Sequence, residues 1–290
     1  MENVVIIGAG RAGTSIGKNL QESKKFRVTA IVDIEASLSA KSAEFIGNVQ
    51  YTGTELIRAS RLGNIIIIAT PDDYIEATYN KLTNSADIQH KYIFHLSGSR
   101  PSTILNSAKA RKCFTGSIHP LQSMPSYEEG YKNLKNAFFC IEGNSEAVKM
   151  AKEIVSVISG KFFTIDTEMK PLYHAAAVFA SNFINTTVFA SFSILKNIGV
   201  PENSIAEIIL PLIKGTVNNI EKLGVINSLT GPVTRGDYNT IEAHIDGLKK
   251  TNSEFSNLYK TLTETTIKLA SLNQKTPDLS KIEKLLKKEK

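Results

Sequence analysis

Residues 3–33, NVVIIGAGRAGTSIGKNLQESKKFRVTAIVD, decide the fold of the first half of the chain. An apolar, β-branched run ends in Gly8, Gly10 and Gly13, which are spaced as G-x-G-x-x-G, and apolar residues at helical spacing follow. A second apolar run then ends at Asp33. Strand, tight turn, helix and strand in this order predict the opening unit of a dinucleotide-binding α/β sheet, the Rossmann fold.

Each part of this unit has a role in binding a dinucleotide. The first glycine permits the tight turn, the second lets the backbone approach a pyrophosphate, and the third lets the helix pack on the strand. The pyrophosphate is expected at the helix N-terminus, where free N–H groups favour an anion. Asp33 favours an adenosine ribose and repels a 2'-phosphate, which indicates NADH, although Arg11 could offset this repulsion for NADPH. The predicted cofactor-binding residues are Gly8, Ala9, Gly10, Arg11, Ala12, Gly13, Asp33, Thr70 and Pro71.

Strand and helix patterns continue to alternate up to about residue 166. After 26–32, we predict strands at 64–69, 91–96, 112–117, 137–141 and 161–165, and helices at 11–22, 37–45, 74–82 and 146–158. Only helical patterns follow, with a long apolar helix at 170–197 and helices after Pro201, Asp237 and Pro277. The prediction is an α/β protein: a doubly wound parallel Rossmann sheet over residues 1–166, then an all-α substrate and dimerisation domain over residues 167–290.

Composition narrows the class of protein. Hydrophobic residues make up 42% and charged residues 21%, as in a soluble globular protein. No uninterrupted apolar window of about 18 residues indicates a membrane span, and the first strand leaves no room for a signal peptide, so a cytoplasmic protein is expected. Five lysines in residues 281–290 supply much of the net charge of +6. They suit a solvated amphipathic helix with Ile282, Leu285 and Leu286 inward, rather than a nucleic-acid contact. Cys113 and Cys140 lack metal-ligand spacing and fit reduced core cysteines; no metal is expected.

Four segments place polar groups beside apolar structure: HLSG at 95–98, GSIHP at 116–120, KPLYHAAAVFASN at 170–182 and LTGPVTRGD at 229–237. On a continuous helix, Lys170, His174 and Asn182 would lie broadly along one face. A carbonyl that accepts hydride develops negative charge on its oxygen, and an ammonium or imidazolium there stabilises the charge and can deliver a proton.

The order HLSGS, GSIHPLQ, KPLYHAAAVFASN and SLTGPVTRGD after GAGRAG resembles a family of Rossmann proteins within the 6-phosphogluconate dehydrogenase-like superfamily. Its carboxy-terminal region was long catalogued as a domain of unknown function. The resemblance spans nearly the whole chain and implies an NAD(P)-dependent oxidoreductase. The nearest functional likeness is to the alternative ketopantoate reductases, which reduce 2-dehydropantoate to pantoate for pantothenate and coenzyme A synthesis. In related enzymes an Asn follows the Lys by one helical turn, and here His174 occupies that place.

The resemblance implies roles for several residues. Lys170 is the expected general acid and His174 the residue that orients the carbonyl, with His119 as a third catalytic candidate. Ser97 and Asn182 are expected to bind substrate oxygens, and Arg235 to hold a substrate carboxylate. Asp237 is either part of this substrate site or the cap of the following helix.

Two other functions stay open at this stage. An imine reductase or a deazaflavin-type NADP oxidoreductase would keep the cofactor and change the substrate, whereas a redox sensor would bind a dinucleotide without chemistry. The phenylalanines of the long helix are spread over more than one face, so we expect a homodimer, with burial inside one subunit as the alternative.

Overall fold

The computed structural model describes residues 1–84, 88–106, 112–274 and 276–288. It divides into two compact units, Met1–Asn182 and Phe183–Lys290. The division falls later than the expected position at residue 166, because the helix that begins at Lys170 packs with the sheet unit.

An eight-stranded sheet in the order β3-β2-β1-β4-β5-β6-β7-β8 forms the centre of the first unit. Its strands are β1 (Glu2–Ile7), β2 (Phe26–Val32), β3 (Tyr51–Gly53), β4 (Ile65–Ile68), β5 (Tyr92–His95), β6 (Phe114–Leu121), β7 (Phe138–Gly143) and β8 (Lys161–Thr164). The expectation of a wholly parallel sheet is wrong at one edge, because β7 pairs antiparallel with β6 and β8 then pairs parallel with β7.

Helices cover both faces of this sheet, as the near-continuous apolar strands β1 and β4 require. Val4, Ile6, Ile65 and Ile67 belong to one core cluster, and Val5 and Ile66 belong to the other. The helices of the unit are α1 (Arg11–Glu22), α2 (Ala36–Ile46), α3 (Leu56–Ser60), α4 (Asp72–Thr83), α5 (Tyr127–Asn133), α6 (Ser145–Val157) and α7 (Lys170–Ala180). The predicted doubly wound architecture is confirmed.

The second unit is helical. It consists of α8 (Asn182–Asn197, whose first residue belongs to the first unit), α9 (Glu202–Asn227), α10 (Tyr238–Thr251), α11 (Ser253–Ala270) and α12 (Ser280–Lys288). Its core includes Ile241, Ile245 and Ile267, together with Ile282, Leu285 and Leu286, so the inward face predicted for the basic tail is confirmed. Glu289 and Lys290 of that tail lie outside the described residues.

The expected single helix over residues 170–197 is wrong. Ser181, at φ −132° and ψ −74°, leaves helical geometry and separates α7 from α8. Thr167–Asn197 is nevertheless long and apolar enough to cross a membrane by length and composition alone, with 6% of its most apolar window buried. Core helices of soluble proteins pass the same test.

Candidate active site

The glycine turn has the geometry that the motif predicts. Gly8 has φ +106°, and a Cβ there would lie 2.6 Å from the carbonyl carbon of Ala69, so only glycine fits. A Cβ on Gly13 would collide with the carbonyl oxygen of Gly8. Gly10 differs, since a Cβ there would meet nothing within 4 Å. Gly8 and Gly13 therefore shape the turn, and Gly10 borders open space.

That space is a cleft of about 910 Å³ along the carboxyl edge of the first unit's sheet. Parallel α/β sheets bind ligands at this edge. Seven of the nine predicted cofactor residues line the cleft, namely Gly8, Gly10, Arg11, Ala12, Asp33, Thr70 and Pro71. Leu96, His119 and Pro120 line it as well. The structure thus brings the glycine turn and one of the predicted catalytic histidines to the same cleft.

Polar groups in the cleft fit a dinucleotide. Asp33 accepts the backbone N–H of Ala9 at 2.7 Å and that of Glu35 at 3.1 Å, and each carboxylate oxygen keeps a second lone pair for a ribose hydroxyl. Helix α1 begins at Arg11, and its N-cap residue Gly10 has no side chain to cap it, so the first N–H groups of the helix are available to a pyrophosphate. The buried Thr70 Oγ1 has no hydrogen-bond partner among the described residues. A bound cofactor would supply one.

Asp72, the first residue of α4, organises the turn after β5. Its Oδ2 accepts hydrogen bonds from the hydroxyls of Ser97 at 2.8 Å and Ser99 at 2.6 Å. Ser97, predicted to bind a substrate oxygen, is buried, and its hydroxyl also accepts the backbone N–H of Arg100. Asp72 and Ser97 together fix the Gly98 backbone.

Gly98 lies against two histidines. His119 is inside β6, because this strand runs four residues beyond its predicted end, and His174 is on α7. Their ring centroids are 6.1 Å apart. A Cβ on Gly98 would lie 2.5 Å from His174 Cδ2 and 2.7 Å from His119 Nε2. On its other side, His119 Nδ1 is 2.6 Å from the hydroxyl of Tyr173. Four groups from three elements of the chain therefore converge on one point.

Lys170, the predicted general acid, lies behind this point. Its side chain is fully buried, and Nζ donates to the hydroxyl of Ser117 and lies 3.5 Å from Glu142 Oε1. Glu142 also accepts the backbone N–H and hydroxyl of Ser102 and the hydroxyl of Thr167. This buried network ties the start of α7 to β6 and β7.

Burial and the Lys170 charge set the protonation of the histidines. The pKa of His95 is lowered to about 3, mainly by burial and then by the Lys170 charge. The pKa of His119 is lowered to about 4 by burial, then by the Lys170 charge and by His174. Burial also lowers the pKa of Lys170, against the opposing effect of Glu142. Burial raises the pKa of Tyr173, so its hydroxyl keeps its proton at neutral pH. At pH 7 the His119 ring is therefore neutral.

The remaining predicted substrate residues lie elsewhere in the chain. Asn182 is exposed just after the break at Ser181, so it does not share a continuous helix face with Lys170. Arg235 is exposed in the second unit. Asp237 caps α10, one of the two roles expected for it. Its carboxylate accepts hydrogen bonds from the backbone N–H of Thr240 at 3.1 Å and from the Thr240 hydroxyl at 2.7 Å.

Sequence reasoning missed two residues of this cluster. Tyr173 lies inside the quoted segment KPLYHAAAVFASN, but the sequence pattern assigns it no role. Glu142 is a lone carboxylate in the apolar run FFCIEG, and a charge in a predicted buried strand is a signal that a partner is needed. Lys170 is that partner.

Comparisons with known proteins agree with this geometry. Residues 2–92 match the model of an oxidoreductase family with an NAD-binding Rossmann fold, and residues 137–266 match a domain of unknown function, DUF2520. No curated protein matches the sequence.

Solved structures share the fold over most of the chain. A Thermotoga maritima protein is 28% identical with a TM-score of 0.72, and 92% of this chain covers 98% of it. A Bacteroides fragilis protein that carries the provisional name NADP oxidoreductase is 24% identical with a TM-score of 0.74 and the same coverage. Plasmodium falciparum pyrroline carboxylate reductase, solved with NADP bound, is 13% identical with a TM-score of 0.58, and 93% of this chain covers 98% of it. Together with the glycine cleft, these matches show a Rossmann fold suited to NAD or NADP, followed by a region similar to a domain of unknown function.

Proposed function

We propose that this protein is a reductase that transfers hydride from NAD(P)H to the carbonyl carbon of a small 2-oxo acid, with 2-dehydropantoate as the first substrate to test. The observation that carries the proposal is the cleft that contains both the glycine turn and His119. A sensor would need the glycine turn alone, whereas this cleft also holds a histidine that is oriented by a tyrosine and packed beside a second histidine.

The chain's own residues would act on the carbonyl oxygen. When bound, the reduced nicotinamide supplies the hydride. His119 meets the oxygen as it gains negative charge. A hydrogen bond from a ring N–H stabilises that charge, and the resulting alkoxide then takes its proton from water. His174 orients the carbonyl from the neighbouring position. Gly98 is buried, and His119, Tyr173 and His174 are partly buried, which limits the water that competes for these hydrogen bonds.

Lys170 has two proposed roles that an experiment separates. Either Lys170 is the general acid, as the family resemblance implies, or it is a fixed buried charge that anchors the start of α7 and keeps His119 neutral. We favour the second, because Nζ is fully buried and bonded to Ser117 and Glu142, whereas His119 lines the cleft. Loss of one hydrogen-bond donor to a developing oxyanion lowers kcat by about 100-fold or more. His119→Gln should therefore lower kcat by about 100-fold, and Lys170→Met by less.

Substrate and cofactor selectivity complete the proposal. The family resemblance implies Arg235 as a bidentate donor for the substrate carboxylate and Asn182 as a donor for a further oxygen. Arg235→Ala should raise the KM for the 2-oxo acid and leave the KM for the cofactor unchanged. Asp33 favours NADH, because its carboxylate borders the cleft and repels a 2'-phosphate.

The first experiment is the absorbance at 340 nm of purified protein mixed with NADH or NADPH and a panel of 2-oxo acids and cyclic imines. Oxidation with 2-dehydropantoate supports the full proposal. Turnover of a cyclic imine alone would replace it with an imine reductase. Cofactor binding without turnover of any panel member would favour the sensor.

We also propose that a second copy of the chain covers the exposed apolar side chains of α8 and α9. Phe189 is 62% exposed on α8, and Leu212 is 73% exposed on α9. Monomeric soluble proteins rarely expose continuous patches of this kind. Light scattering in detergent-free buffer should give twice the chain mass. A monodisperse monomer, or material that stays in solution only with detergent, would contradict the dimer.

A further inference from the structure

The hydroxyl of Tyr173 is hydrogen-bonded to Nδ1 of His119, the ring nitrogen that faces away from Gly98. The hydroxyl lies 2.6 Å from Nδ1, while Nε2 is the ring nitrogen that a Cβ on Gly98 would approach to 2.7 Å. A neutral imidazole carries one N–H, so the partner of Nδ1 decides what Nε2 can do.

The geometry indicates that the tyrosine donates. Hydrogen bonds from N–H to oxygen are most often about 2.9–3.0 Å long, and those from a hydroxyl to oxygen are shorter, at about 2.7–2.8 Å. The observed 2.6 Å is short for a ring N–H that donates to the phenol oxygen, which favours the hydroxyl as the donor. An imidazole nitrogen is also a better acceptor than a phenol oxygen, whose lone pair is delocalised into the ring. With Nδ1 accepting, the ring proton is on Nε2.

The tyrosine ring is itself held in place. It packs edge-on against Phe163 at 5.7 Å and against His119 at 5.6 Å. One turn earlier, Lys170 anchors the start of α7 to Ser117 and Glu142. The hydroxyl position is therefore fixed by packing on two sides and by the buried ion pair behind it.

We propose that Tyr173 is a positioning residue for the proposed reduction: its hydroxyl donates to His119 Nδ1 and holds the ring proton on Nε2, on the side of Gly98. This inference rests on the proposed function for its catalytic consequence only. The substrate oxygen then meets an N–H donor at Nε2. Without the tyrosine hydroxyl the ring can rotate or carry its proton on Nδ1, and Nε2 would then present a lone pair to the developing negative charge.

The test compares Tyr173→Phe with Tyr259→Phe. The first change removes the hydroxyl and keeps the ring that packs on Phe163. Tyr259 is a matched control, because its hydroxyl lies 2.9 Å from Nδ1 of His244 in the second unit. Nitrogen-15 NMR of histidine-labelled protein reads the protonation of each ring nitrogen, and the spectrum of His119→Gln assigns the His119 signals.

In the wild type we expect His119 to be protonated at Nε2 and its Nδ1 resonance to show an accepted hydrogen bond. Tyr173→Phe should remove that hydrogen-bond shift and lower kcat roughly 10-fold, the equivalent of one hydrogen bond, at an unchanged KM for the cofactor. Tyr259→Phe should move only the His244 signals and leave kcat unchanged.

Two results would overturn the inference: a wild-type His119 protonated at Nδ1, or a Tyr173→Phe variant with unaltered His119 resonances and kcat. The NMR readout needs no substrate. A fixed Nε2 proton in a protein that reduces no 2-oxo acid or imine would therefore contradict the proposed function and uphold the hydrogen bond.

Discussion

Lys170 Nζ lies 3.5 Å from Glu142 Oε1, and both side chains are fully buried. Removing one partner of a buried ion pair leaves the other charge without compensation, which costs about 3–5 kcal/mol. We expect Glu142→Gln to lower the free energy of unfolding by about this amount, since Ser102 and Thr167 also lose their carboxylate acceptor. Urea denaturation at neutral pH measures the change.

The matched control for this prediction is an exposed pair. Lys149 and Glu146 are 2.6 Å apart, with side chains 70% and 46% exposed. Exposed pairs contribute about 0–1 kcal/mol, so Glu146→Gln should have a small effect. Equal losses in the two variants would mean that the buried network contributes no more than a surface contact.

Gly98→Ala should block the chemistry and spare the cofactor. The new methyl group would lie 2.5 Å from His174 and 2.7 Å from His119, and both rings would have to move. A displacement of about 1 Å in a catalytic group can lower a rate about 100-fold. We expect a loss of kcat of this order in steady-state assays, with an unchanged Kd for NADH in a fluorescence titration.

Gly247→Ala controls for the substitution itself, because a Cβ on Gly247 in α10 would meet nothing within 4 Å. Alanine in a helix interior stabilises by about 0.5–1 kcal/mol relative to glycine, so this variant should retain its activity. A fully active Gly98→Ala variant would show that the histidines need not approach each other as closely as they do here.

The first half of the fold could be predicted from the sequence because its signals are local. Glycine spacing, apolar strands and helical periodicity each act within about 20 residues. The break at Ser181 carries no such signal, since neither glycine nor proline stands there and apolar residues continue on both sides of it. The three-residue strand β3 is too short for any periodicity to show.

The site was predicted in part for the same reason. The cofactor residues follow one another along the chain, so their motif could be recognised. The orientation of Lys170 could not be predicted, because helical spacing shows which residues share a face of α7 but not which strands that face packs against. Only the pairing of β6 with β7 brings Ser117 and Glu142 together. Lys170 Nζ points inward because it contacts both of these side chains.

Asp33→Ser should shift the cofactor preference from NADH towards NADPH. The carboxylate repels a 2'-phosphate, and a serine hydroxyl can still accept the Ala9 N–H. Loss of a charged hydrogen-bond acceptor costs about 1.5–3 kcal/mol, equivalent to roughly 10-fold to 100-fold in kcat/KM for NADH. The ratio of kcat/KM for the two cofactors is the measurement.

Asp73→Asn is the control for this change of charge, because Asp73 is 84% exposed and pairs with Arg100. It should leave the cofactor ratio unaltered. If Asp33→Ser also left the ratio unaltered, Asp33 would serve only to hold the glycine turn through Ala9.

Stability should fall as the pH falls from about 6.5 to about 4, because of His95 and His119. Both have folded-state pKa values, about 3 and about 4, below the ordinary histidine value of 6.5. In this window the unfolded chain binds protons that the folded chain does not, so protonation favours unfolding. The stabilisation is complete above pH 6.5 and is lost progressively towards the folded-state values. Each histidine contributes a slope of up to about 1.4 kcal/mol per pH unit.

Urea unfolding of the wild type, His95→Asn, His119→Asn and His244→Asn at pH 7, 6 and 5 separates these contributions. In the His95 and His119 variants, the free energy of unfolding should depend less steeply on pH, each by the slope that one histidine contributes. The exposed His244 serves as the control. Carboxylates titrate equally in all four proteins, so the differences between variants belong to the histidines. Parallel curves for all four would mean that the His95 and His119 sites admit a proton as readily as the unfolded chain does, and the neutral imidazole on which the Tyr173 inference depends would then be absent below pH 6.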